Sequence, residues 1–282
     1  MISDGYNAGT AEQRAMDINN MFQNEDIKAI FCTSGGYTSN TALPYLNFEL
    51  IKKNPKIFCG FSDITAINLP ITLETGLVTF GGPTILPTLG DFGGTLELTL
   101  DHLNKVFFIS KQIGQIKSRS YFSKESLWWD RDDTKPRKRS LSEPFVYLNH
   151  GIAEGILVGG NLETLCMLPE KYFQFSEKVI WFFEEEGGST PMIERQLACL
   201  DQKGAFNNCI GILFAKSCNF KDLNQFRSLN TILSNFGKKY TLPVVSNLNI
   251  GHTNPLVTMQ IGINAYINTF NNEVKITESA VN

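Results

Sequence analysis

Neither sign of charge is in large excess over this chain as a whole. Its 25 lysines and arginines stand against 28 aspartates and glutamates in 282 residues, a formal net charge of −3. That balance provides no basic stripe for a nucleic-acid polymer and no cationic face for an anionic membrane. No apolar run is long enough to cross a bilayer, and residues 1–6 carry neither the basic nor the apolar segment of a secretion signal. Paired cysteines are absent too: Cys32, Cys59, Cys166, Cys199, Cys209 and Cys218 form no CxxC, and most lie in apolar runs such as Lys56-Ile57-Phe58-Cys59. They read as buried free thiols in a reducing compartment, so a soluble cytoplasmic protein is expected. With only three histidines and no HExxH, a zinc or iron site is not expected, nor is any cofactor. The spacings GxGxxG and Walker A are missing as well, which argues against Ser34-Gly35-Gly36 as a phosphate loop.

Apolar residues, by contrast, are plentiful at 42%, enough for one large core or two modest ones. Ala15, Ile18, Met21 and Phe22 recur at helical spacing within residues 10–24, and Thr10 with Gln13 has the form of a capping box. Short apolar runs at 29–33, 56–60 and 77–80 read as buried strands, with helices expected at 39–46 and 64–75. Residues 110–150 are polar, charged and aperiodic, yet too aromatic for a mere flexible linker. Strand signals return at 156–159, 179–183, 210–215, 244–245 and 265–267, with helical signals at 191–200 and 223–236. The expected class is α/β. A truncated, flavodoxin-like parallel-sheet domain would occupy 1–112, a connector 113–152, and a mixed α/β domain 153–282.

The sharpest local feature is Phe58-Cys59-Gly60-Phe61-Ser62-Asp63-Ile64, a buried strand running through Gly-x-Ser into a helix. That is the context of a nucleophile elbow, in which a tight turn exposes a serine hydroxyl at a strand's carboxyl end. Ile64 replaces the second glycine of the Gly-x-Ser-x-Gly pattern, and Ser62 and Asp63 could equally cap the helix. An elbow predicts an unfavoured backbone at Ser62, a positive φ among the forms it can take. A serine nucleophile needs a base and an orienting carboxylate. Of the histidines, His102 falls in an expected helix at 98–107, where a surface position is ordinary, and His150 ends the connector. His252 sits in the turn-rich Gly251-His252-Thr253-Asn254-Pro255 beyond a strand, where catalytic side chains gather, although a loop-stabilising hydrogen bond would explain it too. Glu184 takes the first acidic place after a hydrophobic strand, in Phe183-Glu184-Glu185-Glu186; a solvated turn is the alternative. Gly35 and Gly36 let backbone approach a ligand closely.

In combination these segments resemble the LD-carboxypeptidase family, peptidase family S66, and within it the branch of microcin C immunity peptidases. The resemblance rests on Tyr6-Asn7-Ala8-Gly9-Thr10, Ser34-Gly35-Gly36-Tyr37, Leu43-Pro44-Tyr45-Leu46, Gly60-Phe61-Ser62-Asp63-Ile64-Thr65, Gly159-Gly160-Asn161-Leu162, Phe183-Glu184-Glu185 and Gly251-His252-Thr253. It implies Ser62 as nucleophile, Glu184 as acid and His252 as base, with oxyanion donors at the Asp63 N–H and at Gly35 or Gly36. Trp128 and Trp129 would stack on a nucleobase or pack the domain interface, and Arg137 or Arg139 would meet a phosphate or carboxylate. The implied substrate is a small peptide or an aminoacyl-nucleotide, cut by acyl transfer; a homodimer is expected. The family's strand–helix–strand unit upstream of Ala8-Gly9-Thr10 has no counterpart here, so an exposed sheet edge is expected. A silent small-molecule binder on the same fold is the rival reading.

Overall fold

Thr10 opens the first helix through the expected capping box: its hydroxyl accepts from the Gln13 N–H at 3.3 Å and Gln13 Oε1 accepts from the Thr10 N–H at 2.9 Å. The structure, a computed structural model, describes residues 5–118, 121–123, 125, 127–128, 131–216, 220–223 and 225–281. Helix α1 (Ala11–Gln23) buries Ala15 and Phe22 and leads to strand β1 (Ala29–Phe31). A 3₁₀ turn, Ser39–Tyr45, stands where a helix was expected. Pro44 has no N–H to carry an α-helical ladder, which suits the shorter form. Helix α2 (Phe48–Lys53), strand β2 (Ile57–Gly60), helix α3 (Thr65–Thr75), strand β3 (Thr79–Gly81) and helix α4 (Glu97–Phe107) follow. His102 on α4 is buried rather than on the surface, because it lies on the helix face that also buries Thr99 and Val106.

The aperiodic stretch is not wholly irregular. It contains β4 (Gly114–Gln115), β5 (Tyr121–Phe122), β6 (Ser140–Leu141) and β7 (Val146–Asn149). Then come β8 (Ile152–Asn161), α5 (Leu162–Met167), β9 (Val179–Glu184), α6 (Thr190–Gln202), β10 (Cys209–Ala215), α7 (Leu229–Tyr240), β11 (Val244–Leu248), β12 (Met259–Ile261), β13 (Ile263–Asn268) and β14 (Glu273–Ile276). Helix α7 begins later than residue 223. Ser228 supplies the cap that starts it, accepting from the Thr231 N–H at 3.3 Å, and the earlier apolar residues Leu223 and Phe226 are exposed.

Two sheets result. The smaller has the order β1-β2-β3-β12, parallel through β3 and closed by antiparallel β12 from far along the chain. The larger has the order β4-β14-β13-β8-β9-β10-β11-β7; β8 to β11 run parallel, and β13, β14 and β4 on one side and β7 on the other pair antiparallel. The fold is thus α/β, with a parallel sheet toward the N-terminus and a larger mixed sheet beyond it. One large hydrophobic core draws on both, and Cys59, Phe80, Val106 and Phe107 form a small second cluster. Strand β9 is buried at all six positions, and the Trp181 and Phe183 rings stack at 5.5 Å inside it. Helix α3 is likewise buried from Thr65 to Thr72, and Asn68 Nδ2 donates to Gly60 O at 2.8 Å, tying the helix back to the end of β2. In open parallel sheets the crevice beyond the carboxyl ends of the strands is where ligands bind. Here the carboxyl ends of β2, β8, β9 and β11 face one another, which brings residues 60–65, 159–161, 184–186 and 249–254 together.

Candidate active site

Ser62 leaves β2 with φ at +63°, a left-handed conformation that a serine adopts only when its surroundings impose it. Nothing about it resembles a helix cap. Neither the short 3₁₀ turn Ser62–Ile64 nor α3 has a side-chain cap, and among the described residues Ser62 Oγ makes no hydrogen bond. The glycine turn after β1 packs directly over it. A Cβ built on Gly35 would lie 3.0 Å from Ser62 Cβ, 3.1 Å from Ser62 Oγ and 3.6 Å from the Asp63 nitrogen. The turn itself is clamped by the Asp63 side chain, whose Oδ2 accepts from Ser39 N at 2.9 Å and Ser39 Oγ at 2.6 Å. Asp63 is buried. Sequence reasoning places its backbone in the site and misses its side chain, because the partner Ser39 lies 24 positions earlier and leaves no local signal.

Glu184 and His252 are brought together. His252 Nδ1 lies 2.7 Å from Glu184 Oε2, which places a proton on Nδ1 and aims Nε2 away from Glu184. Phe61, the neighbour of Ser62, packs edge-on against the imidazole at 4.9 Å. The Ser62 hydroxyl and His252 are not hydrogen-bonded; Nε2 faces Glu186 Oε2 at 3.2 Å instead. Burial alone would lower the His252 pKa. The charge and hydrogen bond of Glu184, followed by the charges of Glu186 and Glu185, outweigh it and raise the value to about 9. Glu185 is buried beside Glu184 and its pKa is raised to about 8, first by desolvation and then by the Glu184 and Glu163 charges. Glu185 therefore keeps its proton near neutrality, and the carboxylate that meets the histidine is that of Glu184.

The loop that carries His252 is fixed from several sides. Lys216, buried at the end of β10, donates to Asn247 O at 2.8 Å and Asn249 Oδ1 at 3.3 Å, and burial lowers its pKa to about 8. Asn249 O accepts from Val257 N at 2.7 Å and closes the loop. Asn254 Nδ2 donates to Asp91 Oδ2 at 3.1 Å, and Arg137 Nε donates to Asp91 Oδ1 at 2.9 Å. Arg137, read from sequence as a ligand for substrate phosphate or carboxylate, is therefore taken up by an internal carboxylate; both partners are nearly buried. Arg139 is exposed. Trp128 is half-exposed with the Arg131 guanidinium 5.0 Å over its ring, while Trp129 lies outside the described residues. His150 stacks on Phe270 near the amino end of β8, the opposite edge from Asn161, and takes no part in the site. Asn161 stands in the Gly159-Gly160-Asn161-Leu162 motif. Its N–H donates to Thr65 Oγ1 at 2.9 Å and fastens the end of β8 to the helix after Ser62.

Gly251 shows how tightly this corner is packed. With φ at +73°, a Cβ there would stand 2.4 Å from Glu184 Oε2 and 2.5 Å from Glu184 Cβ. Gly251→Ala is expected to cost about 2–5 kcal/mol, the sum of a left-handed backbone penalty and overpacking, and to lower kcat by displacing Glu184. Urea denaturation with parallel kinetics checks this. Gly76→Ala is the control, because Gly76 has φ at +75° and open space around its Cβ, so it should lose the backbone part alone.

Residues 1–82 match the LD-carboxypeptidase N-terminal domain and residues 154–267 the LD-carboxypeptidase C-terminal domain. The chain belongs to the LD-carboxypeptidase family. It is 30% identical over 280 residues to the microcin C7 self-immunity protein MccF of Escherichia coli, covering 98% of this chain and 81% of that protein. It is 31% identical over 268 residues to a probable murein peptide carboxypeptidase of Bacillus subtilis, covering 94% and 76%. The structure of MccF in complex with glutamyl sulfamoyl guanosine superposes with a TM-score of 0.88 at 28% identity, over 99% of this chain and 84% of that one. This LD-carboxypeptidase is thus an enzyme of the serine peptidase class on the MccF side of its family, as the sequence resemblance implied. Among its described residues no helix is long and apolar enough to cross a membrane.

Proposed function

We propose that Ser62, His252 and Glu184 act as a catalytic triad that hydrolyses an amide of an aminoacyl-nucleotide. The observation that carries the reading is the 2.7 Å pairing of Glu184 with His252, set against Phe61 beside a serine whose φ is +63°. His252 Nε2, once free, takes the Ser62 proton; Ser62 Oγ attacks the amide carbonyl; the tetrahedral oxyanion rests on the Asp63 N–H and the Gly35–Gly36 turn. His252 then returns the proton to the leaving nitrogen, and water hydrolyses the acyl-enzyme. Glu184 keeps the imidazole in one tautomer and stabilises its positive form.

The nucleotide is favoured by the ligand in the superposed MccF structure and by the indole of Trp128, which offers a flat apolar face. A murein tetrapeptide is the second reading, favoured by the likeness to the Bacillus subtilis relative. Cytoplasmic placement is supported by the free thiols, of which Cys59 and Cys209 are buried. Incubation with an aminoacyl-sulfamoyl adenosine and with murein tetrapeptide, read by mass spectrometry, separates the two substrates. Release of the free amino acid from the first, and none from the second, is the expected result. Failure of a fluorophosphonate to label Ser62, together with no turnover of either compound, would leave a silent binding protein instead.

A further inference from the structure

Both ring nitrogens of His252 are occupied by carboxylates, Nδ1 by Glu184 at 2.7 Å and Nε2 by Glu186 at 3.2 Å. A serine triad works through Nε2, which must be free to accept the hydroxyl proton. We propose that Glu186 is a latch on the general base: its carboxylate holds His252 Nε2 in the free enzyme, competes with Ser62 for the imidazole, and must leave before Ser62 can be deprotonated. The inference rests on the triad reading above and adds a residue to it.

Burial separates the two glutamates. The Glu184 side chain is 3% exposed and fixed at the end of β9, whereas that of Glu186 is 41% exposed. Part of the Glu186 carboxylate thus already meets water, and that of Glu184 does not. Glu186 opens a turn in which Gly187 and Gly188 both adopt left-handed φ values, +75° and +80°. The charged groups that act on the imidazole are Glu184 and Glu185 from the end of β9 and Glu186 from the following turn; from the other sheet the uncharged ring of Phe61 packs against it. With the pKa of His252 raised to about 9, the ring carries both protons at neutral pH and donates to both carboxylates. The sign follows directly. Activity needs the neutral imidazole, so kcat/KM rises with pH and levels above about 9. Removing the Glu186 charge takes away one of the influences that hold the proton on, so the rise moves to lower pH. Neutral-pH activity then increases, about tenfold for each unit of movement.

The test is the pH profile of kcat/KM for the full chain, Glu186→Gln and Glu186→Ala on an aminoacyl-sulfamoyl adenosine, with Ser62→Ala alongside. Both Glu186 variants should shift the acid limb downward and turn over substrate several-fold faster at neutral pH. Fluorophosphonate labelling of Ser62 at neutral pH should accelerate in the same variants, a readout independent of substrate ionisation. An unmoved limb with unchanged labelling overturns the latch. So does a fall of the alkaline plateau, which would make Glu186 part of the machinery. An active Ser62→Ala would instead sink the triad reading itself, so the two failures are distinguishable.

Discussion

Ser62→Ala is expected to lower kcat for amide hydrolysis by about 10⁶, the size of loss seen when the nucleophile of a serine triad is removed, while the protein stays folded. The reason for the small structural effect is local. Ser62 Oγ makes no hydrogen bond among the described residues, so its loss leaves no buried partner unsatisfied. Alanine meets the same left-handed penalty that serine already bears at φ +63°. Ser62→Gly gives the sharper result. Glycine relieves about 1–2 kcal/mol of backbone strain and gives back about 0.4–1 kcal/mol through a more flexible unfolded chain. Stability should thus hold or rise by up to about 1.6 kcal/mol while activity disappears. Urea midpoints and single-turnover rates on one substrate check both halves. A glycine variant that loses stability would mean that the hydroxyl is structural, and the elbow would be an ordinary turn.

How far this could be read beforehand depended on the range of the forces involved. Local chemistry was legible. Thr10 and Gln13 cap α1 as their spacing requires, and Gly60-Phe61-Ser62 marks a strand end turning into a buried helix. The positive φ at Ser62 was among the forms anticipated, because a side chain cannot point out of so tight a turn otherwise. Strand ends were legible too, since apolar runs of four to seven residues stop where charge begins, as at Phe183-Glu184.

Long-range partnerships were not legible. Glu186 reads as a solvated residue of a charge run, and only the return of the 249–254 loop over β9 makes it a neighbour of His252. Arg137 reads as a ligand for substrate, yet the polar stretch folds back so that Asp91, 46 positions earlier, neutralises it. Met259–Ile261 joins the smaller sheet although the chain has by then passed through the larger one, a pairing that no local periodicity reports. His102 reads as a surface residue because a histidine on a helix ordinarily is one; its burial comes from the packing of the face it shares with Thr99 and Val106.

Glu184→Gln is expected to reduce kcat by about 10⁴, the loss that follows when a triad acid becomes an amide. With glutamine, the amide NH₂ can donate to Nδ1, and the histidine proton then moves to Nε2. An Nε2 that already bears a proton cannot take one from Ser62, so the base is in the wrong tautomer even though the geometry survives. The same change removes the strongest of the charges that raise the His252 pKa to about 9. The acid limb of the profile should therefore fall to lower pH while the plateau drops, a combination that simple unfolding does not produce. Glu185→Gln is the comparison that decides between neighbouring acids. Glu185, with a pKa raised to about 8, is largely uncharged near neutrality, and the amide copies its shape. Its loss in kcat should stay under about tenfold, ~1.4 kcal/mol. A 10⁴-fold loss in Glu185→Gln with activity kept in Glu184→Gln would transfer the acid's role one residue along the chain, and with it the reading of which carboxylate holds the histidine in its working form.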